Sequence, residues 1–321
     1  MSRPTGRVVE LAGGVGGARL AHGLQAHLGA ALTVVVNTAD DLERHGLLVC
    51  PDHDTVLYTL AGIEGPFGWG IEDDTSAAMV QLGAYGEATW FGLGDRDLAA
   101  HIVRTARIRA GASLTEANLG LQRSLGIGAA ILPMSDDPVR TEVLTGDGWL
   151  EFQEYFVHRH QEPEVLAVRL RGIEAASLSV PVAEAIEAAT AIVLAPSNPI
   201  VSIGPILAVD GLTAAIKRAV ERGVPVVAVS GIIGGRALKG PADRMLASLG
   251  HDSSALGVAR LYAGLATGFM IDPVDAGLAP AIEALGLRVL VTDTLMVDDP
   301  SRARVAASVL DFAASLAPVR R

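Results

Sequence analysis

Four glycines in five positions, Gly13, Gly14, Gly16 and Gly17, follow the apolar run at 7–11 and precede a helical pattern over 18–28. A glycine loop between a strand and a helix leaves bare N–H groups at the helix N-terminus, where the macrodipole favours an anion. Phosphate is the chemistry such a loop serves, and Arg19 adds a guanidinium to the first turn. A dinucleotide fingerprint would read G-x-G-x-x-G, with an acid for the ribose at the end of the next strand. Here Gly14 and Gly16 fit, but Arg19 stands where the third glycine belongs and Asn37 where the acid belongs. The loop therefore points to phosphate more than to NAD. The plainer use of the same glycines is close packing of helix on strand.

Four carboxylates fall within the next fifteen-residue stretch of interest, Asp40 and Asp41 in "NTADD" and Asp52 and Asp54 in "PDHDT". Gathered beside phosphate, carboxylates hold a hard cation such as Mg²⁺, and one can accept a proton from an attacking hydroxyl. Asp40 and Asp54 are the candidates for metal ligand or base, with Asp41 and Asp52 as alternates. Turn formation and helix capping are the plainer use of any one of them. His53 reads as a loop residue or substrate contact, since no second histidine stands at metal-ligand spacing. The acids of "EDDT" at 72–75 read as a cap for the helix that follows. In "WFGLGDRD" at 90–97, Trp90 with Asp95 and Arg96 suits a planar ring with a polar tail, and Asp97 reads as a helix cap.

The second half carries two more polar turns. "APSNPIVSIGPIL" at 195–207 offers Ser197, Asn198 and Ser202 on a proline-stiffened loop. "SGIIGGRALKGPADRM" at 230–245 offers Ser230, Gly234, Gly235 and three cations, Arg236, Lys239 and Arg244, which read as a second anion site with Lys239 as the phosphate contact.

These turns need a scaffold that brings them together. Apolar strand patterns at 7–14, 32–41, 88–95, 191–199, 224–231 and 288–294 alternate with helical periodicity at 18–28, 97–110, 182–190, 211–222, 255–266 and 301–316. Continuous Val/Ile/Leu runs between helices predict parallel strands buried on both faces, hence an α/β, Rossmann-like, doubly wound sheet. Its ligands belong at the carboxyl ends of the strands, where the polar turns fall. The stretch 113–180 differs: "SLTE" at 113–116 has capping-box spacing, and Gly146-Asp147-Gly148 reads as a hairpin turn. This predicts a nucleotide-binding core at 1–97 and 181–321, with an inserted α+β lobe at 98–180.

Composition sets outer limits. The 321 residues are 50% hydrophobic, enough for one large domain or two lobes, and the net charge of −11 argues against a nucleic-acid partner. The single cysteine, Cys50, excludes a disulfide framework and a multi-cysteine zinc site. No apolar run is long enough to span a membrane, and the N-terminus makes a poor signal peptide, so a cytoplasmic protein is expected.

In order and across nearly the whole chain, "LAGGVGGARL", "NTADD", "CPDHDT", "WFGLGDRDLAAH", "LPMSDDPVRT", "APSNPIVSIGPIL", "VSGIIGGRALKGPADRM" and "VTDTLM" resemble the 2-phospho-L-lactate transferases of deazaflavin coenzyme F-420 biosynthesis. The resemblance implies a Mg²⁺-dependent reaction between the deazaflavin Fo and a guanosine diphosphate ester of 2-phospholactate or its enolpyruvyl counterpart, with release of GMP. It also implies a homodimer. On this reading Gly13–Gly17 and Lys239 hold the diphosphate, and Asp40 and Asp54 serve the metal or the proton. Trp90, Asp95 and Arg96 meet the deazaflavin, while Asn198 and Ser202 face the nucleotide. Two other classes compete. A related group of sugar-nucleotide-binding regulators shares the glycine loop, but continues its acidic turn as a Gly-Ser stretch where Asp41 is followed here by "LERHG". An NAD-dependent oxidoreductase is opposed by Arg19 and Asn37.

Overall fold

The computed structural model describes residues 6–318. Seven strands form one parallel sheet: β1 (Val8–Ala12), β2 (Leu32–Val36), β3 (Ala130–Pro133), β4 (Ala191–Leu194), β5 (Val226–Val229), β6 (Gly268–Ile271) and β7 (Arg288–Val291). Their spatial order is β7-β6-β5-β4-β1-β2-β3, with every neighbouring pair parallel. The chain builds outward from β1 in one direction, then returns to β4 beside it and builds in the other. That reversal opens a crevice between β1 and β4.

The hydrophobic runs read as doubly buried strands behave as such. β1, β4, β5 and β6 are buried along their whole length, whereas the edge strand β7 is partly exposed. Successive side chains of β1 serve opposite faces. Val9 and Leu11 pack with Ile203, Ile206 and Ile216. Val8 and Ala12 pack with α1 (Gly14–Leu28) and the C-terminal helix Asp299–Leu316. Glu10 shares that second face, fully buried, and neither carboxylate oxygen has a hydrogen-bond partner among the described residues.

Between β2 and β3 the chain makes a small hairpin (Leu42–Arg44 with Leu47–Val49) and then helices α2 (Pro51–Ala61), α3 (Ala77–Ala84), α4 (Asp95–Arg109) and α5 (Leu114–Ser124). The Ser113–Glu116 capping box opens α5 as its spacing predicts, with each residue's side chain accepting from the other's N–H. Within 98–180, β3 belongs to the central sheet. Strands at Arg140–Thr145, Gly148–Glu151 and Ala167–Arg171 form a separate antiparallel sheet. The turn at Gly146-Asp147-Gly148 joins two of them.

Two readings of local structure do not hold. Residues 88–94 form no strand: Gly92 and Gly94 interrupt the run, and Phe91 and Leu93 fold into a small cluster with Leu42, Val49 and Met79. Conversely, β6 is a strand the pattern passes over, because four residues beginning with glycine are too short to carry a periodicity.

Candidate active site

A cavity of about 770 Å³ opens at the carboxyl ends of β1, β2, β4 and β5, over the point where the strand order reverses. One side is the glycine loop. Gly13 is the N-cap of α1 without a side-chain cap, Gly14 adopts φ +60°, and the first turn carries no acid. The Ser197 hydroxyl accepts from Gly13 N at 3.0 Å and donates to Gly13 O at 2.7 Å, fastening the loop after β4 to the loop after β1. A Cβ on Gly16 would lie 2.4 Å from the Pro196 carbonyl oxygen, so only glycine permits that approach. Gly13, Gly14 and Gly16 line the cavity, whereas Gly17 is buried behind them, where a Cβ would collide with Ala12. Gly13, Gly14 and Gly16 thus face the cavity, while Gly16 and Gly17 serve close packing.

Asp52 lies against this loop, and Asp40 stands near it on the same wall. Asn37, fully buried, donates from Nδ2 to Asp52 Oδ2 at 2.9 Å and to Val201 O at 3.2 Å, and its Oδ1 accepts from Ala39 N. It aims Asp52 and ties the loops after β2 and β4 together, so it is not free to hold a ribose. Burial lifts Asp52 to about 6, against the pull of Asn37 and the Gly14 N–H. Burial, and then the nearby Asp52 charge, raise Asp40 well above the usual carboxylate range. Asp40 Oδ1 has no hydrogen-bond partner, and neither acid pairs with a cationic side chain among the described residues. Two desolvated carboxylates without a counter-charge fit a hard divalent cation, which both satisfies their oxygens and relieves their repulsion. Asp41 is off the cavity wall, near Arg140 and Cys50, and burial lifts it to about 7.

Asp54 has a different environment. Arg104, the largest fully buried side chain, grips it with both terminal nitrogens, Nη1 to Oδ2 at 2.9 Å and Nη2 to Oδ1, while Nε donates to Asn118 Oδ1 at 2.7 Å. Burial would raise Asp54, but Arg104 overcomes it and holds the acid far below its ordinary range. Its charge is already matched. Beside it, the Tyr58 hydroxyl donates to Asp97 at 2.6 Å, and His101 stands 3.3 Å from Asp97 and 3.5 Å from Asp54. Asp54, Asp97 and His101 present ligand atoms within 4.8 Å of one another and could hold a metal ion. Arg104 on the shared carboxylate makes this the less favourable of the two acidic sites for a cation.

The family model of the 2-phospho-L-lactate transferase CofD matches residues 8–285. The chain belongs to that family. It is 46% identical over 315 residues, 96% of this chain and 98% of the relative, to a phosphoenolpyruvate transferase of Streptomyces griseus. It is 43% identical over 291 residues, 90% and 93% of the two chains, to a 2-phospho-L-lactate transferase of Methanosarcina acetivorans. A crystal structure of a UPF0052 family member from Bacillus halodurans shares the fold, with a TM-score of 0.65 at 16% identity over 97% of this chain and 99% of that one. The CofD-family chain is therefore a transferase of the phosphoenolpyruvate or 2-phospho-L-lactate type on an α/β sheet.

Of the other residues singled out in the CofD-family sequence, Asn198, Ser202 and Lys239 line the cavity. The Asn198 Oδ1 accepts from Ile200 N and Val201 N, bending the loop after β4 into the pocket. Several others are elsewhere. Arg19 donates to the Met296 carbonyl at 2.9 Å. Trp90 is off the wall, stacked on His158 at 4.9 Å with Arg44 over its ring at 4.5 Å. Ser230 closes a turn onto Ile232, and Gly234 and Gly235 form the turn of a two-stranded ribbon, with Gly234 N bonded to Asp275. The acids near 72–97 cap each other's helices. The Asp95 carboxylate accepts from Ala77 N and Ala78 N at the start of α3, and Asp74 accepts from Arg96 N and Asp97 N at the start of α4. Arg96 donates to the Glu72 carbonyl. Asp97 is thus not the cap of α4; its carboxylate serves Tyr58.

Sequence reasoning missed Tyr58, His101 and Arg104, and with them Asp97's role. The signal was present: Asp97, His101 and Arg104 stand at i, i+4 and i+7, one face of a helix. It also missed the aromatic wall. Phe152 and Phe156 stack at 5.5 Å with an 8° tilt, and Phe156 lies on a turn of π-helix, Glu154–His158, where a strand continuation is the simpler reading of "WLEFQEYFV". Among the described residues, no helix is long and apolar enough to cross a membrane.

Proposed function

We propose that this transferase joins the phospholactyl or phosphoenolpyruvyl group of a guanosine diphosphate ester to the terminal ribityl hydroxyl of the deazaflavin Fo, in coenzyme F-420 biosynthesis. The hydroxyl oxygen forms a bond to the phosphorus nearer the three-carbon acid, the bond from that phosphorus to the GMP oxygen breaks, and the hydroxyl proton passes to the departing GMP. The observation that carries this reading is the convergence of three features on one cavity: the glycine N-terminus of α1, Lys239, and Asp40 and Asp52, neither of which is matched by a cationic side chain among the described residues.

Each feature has a task in displacement at phosphorus, where positioning and charge neutralisation supply most of the catalysis. The N–H groups at the head of α1 receive phosphate oxygens. Lys239 reaches the same anion from the far wall. Asp40 and Asp52 would hold Mg²⁺, which when bound neutralises the diphosphate charge. Asp54 acts through Arg104: the ion pair fixes the first turn of α2, and Asp52 is two residues away on that turn. Asn37 then sets the Asp52 carboxylate against the glycine loop. The apolar wall of Phe91, Phe152 and Phe156 excludes water from the reacting groups.

The test is incubation with Fo, Mg²⁺ and each guanylyl donor, followed by mass spectrometry of Fo. A mass gain identifies the transferred group, since the two differ by two hydrogens. No gain with either donor would leave a nucleotide-binding module as the better account.

A further inference from the structure

Phe67 and Trp69 are 66% and 54% exposed, yet both stand on the wall of the cavity. They stack on each other with ring centroids 5.9 Å apart and a tilt of 26°. Large exposed aromatics beside a cavity mark a binding surface rather than a core. Their loop is well placed and well held. It is a tight turn closed by Gly65 N to Gly70 O at 3.0 Å and Gly68 N to Gly65 O at 2.9 Å, with Glu64 paired to Ile71 at its base. Arg302 of the C-terminal helix anchors Glu64 at 2.9 Å. Between the two aromatics, Gly68 has φ +85° and rests on the phosphate loop: a Cβ there would lie 2.7 Å from Val15 Cγ1. Lys239 crosses from the opposite loop, donates to the Phe67 carbonyl at 2.5 Å and sits 5.4 Å over the Trp69 ring. The aromatic pair is thereby tied to both anion-binding elements.

We propose that Phe67 and Trp69 form the stacking surface for the fused planar heteroaromatic ring of a substrate whose phosphate or hydroxyl end reaches the glycine loop. The inference rests on the proposed transferase reaction, in which both substrates carry such a ring. It moves the aromatic contact from Trp90, which is off the cavity wall and covered by Arg44 and His158, to a pair that stands on the wall with more than half of its surface exposed. A π-surface recognises any flat ring, and a neighbouring ammonium polarises the stack.

The full-length protein is titrated separately with Fo and with GDP, following tryptophan emission and calorimetric affinity, for wild type, Trp69→Ala, Trp69→Phe and Phe67→Ala. Because both residues are exposed, the variants are expected to keep the wild-type unfolding midpoint. For one of the two ligands, Trp69→Ala weakens binding by about tenfold or more, Trp69→Phe restores most of it, and the Trp69 share of the quench disappears. Which ligand responds identifies the ring. Unchanged affinity for both ligands in Trp69→Ala, or equal weakening of both without rescue by phenylalanine, overturns the stacking surface while leaving the transferase reading intact. Failure of the wild-type protein to bind Fo overturns that reading and the surface with it.

Discussion

Replacing Arg104 with methionine tests whether Asp54 is an anchor or a metal ligand. The guanidinium makes two bonds to Asp54 and one to Asn118, and all three side chains are buried. Removing one partner of a buried pair leaves an uncompensated charge and destabilises by about 3–5 kcal/mol. For 321 residues at about 2.1 cal/mol/K each, 1 kcal/mol moves the unfolding midpoint by about 1.5 °C. Arg104→Met is therefore expected to lower the midpoint by about 4–7 °C at pH 7. The sign with pH follows from the depressed folded pKa of Asp54. Such an acid contributes stability above its unfolded pKa of 3.8 and loses it as pH falls toward the lower folded value, so the difference between wild type and Arg104→Met shrinks below pH 3.8. Asp54→Asn with Arg104→Met removes both charges and should recover part of the loss, with a coupling of at least about 1 kcal/mol. Differential scanning calorimetry reads the midpoints, and Mg²⁺ titration of the same samples reads metal affinity. A double variant that is as unstable as the sum of the singles refutes the ion-pair account. So does Asp54→Asn that keeps wild-type stability but no longer binds Mg²⁺.

Three further expectations come from other parts of the molecule. Glu10 has a folded pKa raised by burial, so its ionisation in the unfolded chain opposes folding increasingly above 4.5; Glu10→Leu should raise the unfolding midpoint, and by more at pH 7.5 than at pH 5. Burial lifts Asp52 to about 6 and also raises Asp40, so Mg²⁺ affinity measured by calorimetry should fall as pH is lowered through 6, by up to about tenfold per pH unit for each carboxylate that takes up a proton; affinity independent of pH would remove the Asp40–Asp52 cation site. Asp95→Ala should lower the unfolding midpoint slightly by leaving the Ala77 and Ala78 N–H groups of α3 without their acceptor, with KM for both substrates unchanged, whereas a raised KM for Fo would restore Asp95 to the substrate.

What was legible in the chain was what local pattern controls. Val/Ile/Leu runs ending in polar turns identify β1, β2, β4 and β5, because strands buried on both faces leave no alternative composition, and the run before Thr292 identifies the partly exposed edge strand β7. The same turns carry the glycine loop, Asp40, Asp52, Asn198, Ser202 and Lys239 to one cavity. What was not legible depends on partners distant in sequence. Nothing near Asp54 announces Arg104, fifty positions on, and nothing near Asp95 announces that its carboxylate belongs to α3 while Asp74 serves α4. Residue type is likewise silent about direction: Trp69 stands between two glycines and Trp90 two residues before one, but of the two Trp69 stands on the cavity wall. Arg19 lies in the second turn of α1, one turn past the N–H groups that would meet an anion, and gives its guanidinium to the Met296 carbonyl.

The central claim is that group transfer to Fo takes place at the cavity built on the glycine loop and the Asp40–Asp52 pair. It is tested most directly by one time course, in which GMP release and the mass of Fo are followed together with Mg²⁺ and the accepted donor, for wild type and Asp40→Asn. The account predicts one GMP for each Fo modified by the wild-type protein, and loss of both signals in a variant that remains folded. GMP release without a gain in the mass of Fo, or undiminished turnover by Asp40→Asn, would contradict it.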